Sequence, residues 1–495
     1  MNKKEEDTMV LYISLVLLVV FLFFGFVFTD ELLNVTNVLF GVITHNLGWF
    51  YLVSVLGILI FCLGLAFSKY GKLRLGDEDD RPEYSNFSWF AMLFSAGMGI
   101  GLVFWGVAEP VYHYLQPPLG IEAASSESAS KAFQYAFLHW GFHPWEIYAI
   151  VGLALAYVTF KKKQPCLISS TLEPLLGEKS KGIAGKLIDV LALVLTVIGV
   201  ATSLGLGALQ VNGGLKTLFG IPNTITVQII IIVIITVLFL ISSITGLDKG
   251  IKILSNTNIV IALLIMIFVL FTGPTVFIID TFFVSLSAYL HNILPMSLAL
   301  TPFSDDPWLG NWTIFYWAWW MSWGPFVGTF IARISKGRTV KEFIMGVIII
   351  PALFCCLWFA VFGGTALHFE IIDKLSIAEA ITGDVAVGLF VTLSHLPFGQ
   401  AISFLATLLI VTFFVTSADS ANFVVAMFSR NGDLNPDRKI KVVWGIVLSS
   451  MAIVLLLSGG LVAIRNVAII MALPFVFILI MMCVSIFKAF KNEAD

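Results

Sequence analysis

Twelve long apolar runs constrain this chain more than any other feature. They fall near residues 9–29, 47–68, 87–108, 133–160, 186–210, 223–245, 256–273, 311–332, 343–363, 400–428, 442–459 and 465–487. A helix of about 20 apolar residues spans the roughly 30 Å hydrocarbon core of a bilayer. Only 12% of the residues are charged and 59% are hydrophobic, against about 25% charged in a soluble domain. The mean hydropathy of +0.97 leaves too much apolar surface for a buried core to absorb. Lipid is the solvent that accepts it, and it admits only helices or closed barrels. The expected fold class is an all-α membrane protein of about twelve transmembrane helices forming one polytopic domain.

Charge placement tests that count. With twelve spans, only Lys131, Lys216, Lys374 and Arg465 of the 28 basic residues fall on one side. The others, among them Lys69, Arg74, Lys161, Lys162, Lys163, Arg333, Arg338 and Lys441, share the second side with both tails. This division predicts cytoplasmic termini in a multi-pass protein of the cell membrane. The apolar run after MNKKEEDT has no small-residue cleavage site behind it and reads as an uncleaved first helix. Two stretches on the other side, near 274–308 and 370–390, are amphipathic, and the first reads as lying along the membrane surface. The net charge of −3 implies no nucleic-acid partner. Cys62, Cys166, Cys355, Cys356 and Cys483 show no metal-type spacing and no disulfide framework. No HExxH motif, paired catalytic aspartates or Ser–His arrangement points to an enzyme, and no repeated filter loop points to a channel.

Four clusters inside the apolar runs carry the chemistry. In Ser95-Ala-Gly-Met-Gly-Ile-Gly101, glycine recurs at every second position. Such a stretch weakens a helix by about 1 kcal/mol per glycine. It serves either close helix packing or an unwound segment whose backbone binds a ligand. The second cluster, Tyr316-Trp317-Ala-Trp319-Trp320-Met-Ser-Trp323-Gly-Pro325, holds much of the chain's tryptophan. An interfacial belt would explain Trp308 and Trp312 but not Trp319 and Trp323, one helical turn apart and deeper. Tryptophan faces attract cations, and several together suit a quaternary ammonium, which donates no conventional hydrogen bond. Gly324-Pro325 is expected to break this helix. The third cluster, Trp140-Gly-Phe-His-Pro-Trp145-Glu-Ile-Tyr148, is either an aromatic girdle or the remaining walls of the same box. The fourth, Phe413-Phe-Val-Thr416-Ser417-Ala-Asp419-Ser420, marks an ion path or interhelical hydrogen bonding.

These four clusters, in this order, resemble the betaine/choline/carnitine transporter family. The likeness covers nearly the whole chain and is most specific in GMGIGLVFWGVAEP, HWGFHPWEIYA, FYWAWWMSWGPFVGTFIARISKGRT and TSADS. It implies a LeuT-like core of two inverted five-helix repeats, helices 3–7 and 8–12, after two leading helices. Residues 1–8 would be a cytoplasmic tail, 9–86 the leading helices and 87–273 the first repeat. Residues 274–310 would be an outer surface segment, 311–487 the second repeat and 488–495 a cytoplasmic tail.

The resemblance also implies a site. The trimethylammonium of the substrate would sit among Trp140, Trp145, Tyr148, Trp319, Trp320 and Trp323. Its carboxylate would face the unwound backbone of Gly97, Met98, Gly99 and Gly101. A sodium ion would take carbonyls of Ser95, Met98 and Phe413 and hydroxyls of Thr416 and Ser417. A second family sodium site would use Thr196, but its other threonine position holds Val200 here. Trp317, Phe326 and Phe330 would line the permeation path. Gly101, where choline carriers tend to have Asp, favours a zwitterion. The implied activity is sodium-driven uptake of glycine betaine or a related trimethylammonium zwitterion as an osmoprotectant. Sodium is the coupling ion and there is no other cofactor. Membrane lipid surrounds the chain, and a homotrimer is the family-type assembly. Sodium-independent carnitine/betaine exchange, choline uptake and ectoine as substrate stay open. Only Lys488–Asp495 follow the last run, so an osmotic response would rest on other parts of the chain.

Overall fold

The computed structural model describes residues 8–97, 99–245, 248–303 and 306–494. Among the described residues the only strand-like feature is an isolated bridge between Arg74 and Thr339. We number the helices of twelve or more residues in chain order. They are α1 (Met9–Val27), α2 (Thr29–Phe67), α3 (Asn86–Gly97), α4 (Ile100–Leu115), α5 (Ser126–Trp140), α6 (Phe142–Ala156), α7 (Ile183–Phe219) and α8 (Ile225–Thr245). There follow α9 (Asp248–Thr272), α10 (Thr275–Ser297), α11 (Phe315–Arg333), α12 (Val340–Ile371), α13 (Gly399–Phe428), α14 (Arg438–Leu457) and α15 (Leu461–Ala494).

Among the described residues, ten of these helices are long and apolar enough to cross a membrane. They include α10 and omit three of the twelve expected runs. Each omission has a local cause. The run at 87–108 is two helices, α3 and α4, with Gly99 of the alternating glycines extended at the start of α4. The run at 133–160 is divided at Gly141 into α5 and α6. Pro144 is tolerated in the first turn of α6 but has no N–H for the Trp140 carbonyl, so α5 cannot continue. The Phe142 N–H donates instead to the Tyr289 hydroxyl, 3.1 Å away. The third is α11, rich in tryptophan and entered through a π-helical turn at Gly310–Ile314.

The expected break at Gly324-Pro325 does not occur: α11 runs unbroken through Pro325 to Arg333. A proline inside a membrane helix is tolerated when its neighbours hold the rod on both sides. Before the proline, the Trp323 indole N–H donates to the Gly199 carbonyl of α7 at 2.9 Å. After it, α11 packs backbone to backbone on α6. A Cβ at Gly328 would lie 2.6 Å from Val151 and 3.1 Å from the Gly152 nitrogen. Small residues at that crossing permit the close approach.

Three boundaries also differ from the sequence reading. Helix α2 begins at Thr29, so much of the expected connection before residue 47 is helical. Helix α7 continues to Phe219, where Gly220 in the left-handed conformation (φ 69°) ends it. Helix α15 reaches Ala494, so the expected tail after residue 487 is its last turns, with Glu493 paired to Lys162 at 2.5 Å.

Burial separates centre from periphery. Within the most apolar window of α7, 83% of residues are buried, against 28% for α1, α8 and α9 and 17% for α10. The exposed side chains of those outer helices are large and apolar, such as Phe23, Ile234, Leu264 and Phe283. That is a surface made for lipid rather than water. The chain is an all-α, multi-pass membrane protein with α7 and α12 at its centre.

Candidate functional site

The arrangement of α4, α6, α7, α11 and α13 leaves a cavity of about 830 Å³. One end is aromatic, lined by Trp140, Trp145, Tyr148, Trp319, Trp320 and Trp323. The other end is lined by Glu83, Tyr84, Arg333, Ile334 and Lys441, which lie at the ends of helices or just outside them. Glu83 and Arg333 are exposed, so this end is the mouth. Phe326 and Phe330 of α11 also line the cavity.

The closed end is a continuous aromatic wall. The Trp319 and Trp320 rings stack at 4.8 Å with 15° between their planes. Trp140 stands edge-on to both, 4.8 Å from Trp320 and 6.0 Å from Trp319. Tyr148 lies 6.3 Å from Trp320 and 5.5 Å from Trp145, again near-perpendicular to each. Edge-to-face packing directs some ring faces inward, and those faces carry the negative end of the quadrupole. Trp317 is not on this wall: it is fully buried and stacks on the His143 ring at 5.0 Å.

Opposite the aromatic residues, the break between α3 and α4 supplies main chain. Gly99, Ile100, Gly101 and Leu102 all line the cavity. Gly99 is extended and no side chain caps the start of α4. The first turn of a helix has N–H groups without intrahelical partners, and its dipole favours an anion. Nothing lies within 4 Å of a Cβ built on Gly99, whereas one on Gly101 would strike the aromatic wall. The break supports the unwound-segment reading of the alternating glycines. Met98 and the side chains of Ser95 and Gly97 lie outside the described residues.

Phe413, Thr416, Ser417 and Asp419 of α13 line the same cavity. The Thr416 hydroxyl donates to the carbonyl of Thr412 or Phe413, at 3.0 and 3.2 Å. Asn258 of α9, which the sequence reading missed, is fully buried beside it, 3.5 Å from that hydroxyl. Thr196 is also fully buried, but its hydroxyl donates to the Ala192 carbonyl at 2.7 Å, and it is not on the cavity wall. Helix α13 runs unbroken through Asp419.

Behind the aromatic wall lies a second group that sequence reasoning did not assemble. Glu109, His113 and His139 are all fully buried. Trp308 and Trp312, which the sequence reading assigned to an interfacial belt, pack on this cluster, with ring centres 5.0 and 4.5 Å from His113. The available signal was His139 inside one apolar run and Glu109 directly after the end of another, where ionisable groups are costly unless paired.

A multi-pass helical protein with a deep aromatic cavity and a charged mouth has a form that suits passage of small molecules. Comparison with known proteins makes this specific. A family model described as "BCCT, betaine/carnitine/choline family transporter" matches residues 9–495. The chain is 51% identical over 474 residues to the glycine betaine transporter OpuD of Bacillus subtilis, covering 95% of this chain and 91% of that one. It is 47% identical over 486 residues to the ectoine/hydroxyectoine transporter of Virgibacillus pantothenticus, covering 98% and 97%. It is 40% identical over 502 residues to the ectoine/glycine betaine/proline transporter EctP of Corynebacterium glutamicum, covering 100% and 82%. The chain belongs to the betaine/carnitine/choline transporter family.

Proposed function

We propose that this transporter imports glycine betaine, coupled to sodium, as an osmoprotectant. One observation carries the substrate assignment: six aromatic side chains and the open first turn of α4 share one cavity. A trimethylammonium group needs ring faces, and the carboxylate of a zwitterion needs N–H donors without a competing basic side chain. The 51% identity to a glycine betaine transporter supports the same reading. Sodium would sit where Phe413, Thr416 and Ser417 of α13 face the break between α3 and α4. These hard oxygen donors suit an alkali cation. By the positive-inside rule both termini, and the mouth with Arg333 and Lys441, would face the cytoplasm. This conformation is then the inward-facing one.

Ectoine is the second reading, favoured by the 47% identity to an ectoine/hydroxyectoine transporter. Uptake of labelled betaine into proteoliposomes, with and without an inward sodium gradient, tests the proposal. Accumulation only with the gradient is the expected result. Accumulation without sodium assigns an exchanger, and inhibition by ectoine at lower concentration than by betaine reverses the substrate order.

A further inference from the structure

We propose that Glu109 is a positioning residue that holds and polarises the aromatic wall from behind, setting affinity for the cationic headgroup without touching it. This rests on the reading that the wall receives the trimethylammonium group.

The Glu109 carboxylate joins three helices. It lies on α4, and its Oε2 accepts the Trp140 indole N–H of α5 at 2.7 Å and the Tyr316 hydroxyl of α11 at 2.5 Å. Its Oε1 faces His139 Nδ1 at 2.7 Å and His113 Nε2 at 3.2 Å. The second ring nitrogen of His139 meets the Thr313 hydroxyl at 2.9 Å. A carboxylate removed from water is costly unless such partners surround it. Here all of them converge on one group that is not among the residues lining the aromatic cavity.

Two consequences bear on binding. First, the indole N–H to carboxylate contact is charge-assisted and short, so it fixes the plane of the Trp140 ring. Tyr316, tied to the same oxygen, stacks at 5.8 Å on Trp320, so the carboxylate also braces that ring. Second, a carboxylate drawing on the N–H edge of an indole pushes electron density toward the ring faces. The faces become more negative, and a cation lying on them is held more firmly. The wall therefore acts with a negative charge behind it.

A double-mutant cycle read on the KM for betaine tests this, using Glu109→Gln, Trp140→Phe and the pair in proteoliposomes. Glu109→Gln keeps the shape and removes the charge. The expected result is a KM raised about tenfold, with kcat changed less than KM. In the Trp140→Phe background, where position 140 has no indole N–H and only the brace through Tyr316 remains, the same change should raise KM by clearly less than it does in the wild type. Full multiplication of the two effects, or an unchanged KM for Glu109→Gln alone, overturns the proposal. An unchanged KM for Trp140→Phe alone instead removes the binding reading beneath it. Should Glu109→Gln fail to reach the membrane, His139→Gln enters the same cycle. It removes the 2.7 Å contact on the other carboxylate oxygen, and the same non-additivity with Trp140→Phe is required.

Discussion

Gly101 and Trp319 meet at the closed end of the cavity: a Cβ on Gly101 would lie 2.5 Å from the tip of the Trp319 ring and 3.3 Å from that of Trp140. Only a hydrogen at position 101 lets the first turn of α4 stand against the aromatic wall. The glycine therefore brings the anion-binding and cation-binding ends of the site together.

Gly101→Ala should accordingly raise the KM for betaine, because the methyl group must push a tryptophan off its packing. Overpacking of this kind costs about 1–3 kcal/mol. Gly101→Asp should do the same and also shift preference toward choline, since it sets an anion where the betaine carboxylate is expected. Competition of unlabelled choline and betaine against labelled betaine measures both. An alanine variant with wild-type KM, or an aspartate variant with wild-type preference, rejects the argument.

Trp323 belongs to the wall and also anchors α11 to α7 through its indole N–H on Gly199. Trp323→Leu should lose a cation–π contact of about 2 kcal/mol, or roughly thirtyfold in affinity. Direct binding measured on purified, folded protein separates this from loss of the anchor, which would show as a lower melting temperature. If Trp319→Leu and Trp323→Leu both bind betaine normally, the aromatic end is not the ammonium site.

Thr416 and Ser417 are the only side-chain hydroxyls in the proposed sodium site. Thr416→Val with Ser417→Ala should require far more sodium for half-maximal uptake, or abolish accumulation. Val200, which is buried and offers no oxygen, should leave the wild type with a sodium Hill coefficient of about 1, since the coefficient is bounded by the number of sites. A wild-type value clearly above 1 restores the second site, and sodium-driven accumulation in the double variant removes the first.

Arg338 lies between α11 and α12, with its guanidinium 3.9 Å from the centre of the Trp89 ring. It also donates to Asn86 Oδ1 at 2.8 Å and to the Tyr84 carbonyl at 2.9 Å. These contacts fasten the start of α3 beside the cavity mouth. Hydrogen bonds from a charged group contribute about 1.5–3 kcal/mol each where they are shielded from water. Arg338→Ala should lower the melting temperature in detergent. Arg338→Lys should rescue little, because an ammonium cannot replace the planar fork. Equal stability of all three proteins would show that this fastening contributes nothing.

Much of this was readable without coordinates, and the failures share a cause. Alternating glycines between Ser95 and Gly101 marked the helix break because backbone propensity acts locally. The aromatic clusters marked the closed end because tryptophan at that density has few other uses in lipid. Pro325 misled, because its cost depends on what packs around it, and Gly152, Val151 and Gly199 lie far from it in sequence. Trp317 was placed with the path by the family resemblance, and helical rotation turns it toward His143. Glu109, His113 and His139 carried a signal only as isolated ionisable groups. Their meeting with Tyr316 joins residues separated by 207 positions, which no local pattern reveals.

Two approaches to the cavity differ in continuity. Helices α3 and α4 are separate, with extended Gly99 at the start of α4, whereas α11 is one unbroken rod, Phe315–Arg333. A hinge absorbs rotation in a few residues, and a rod transmits it whole. On the proposed function, gating strain should therefore collect at the joint beside Gly99. The joint that flexes to release cargo would then also be the one that cargo and coupling ion stiffen when they arrive.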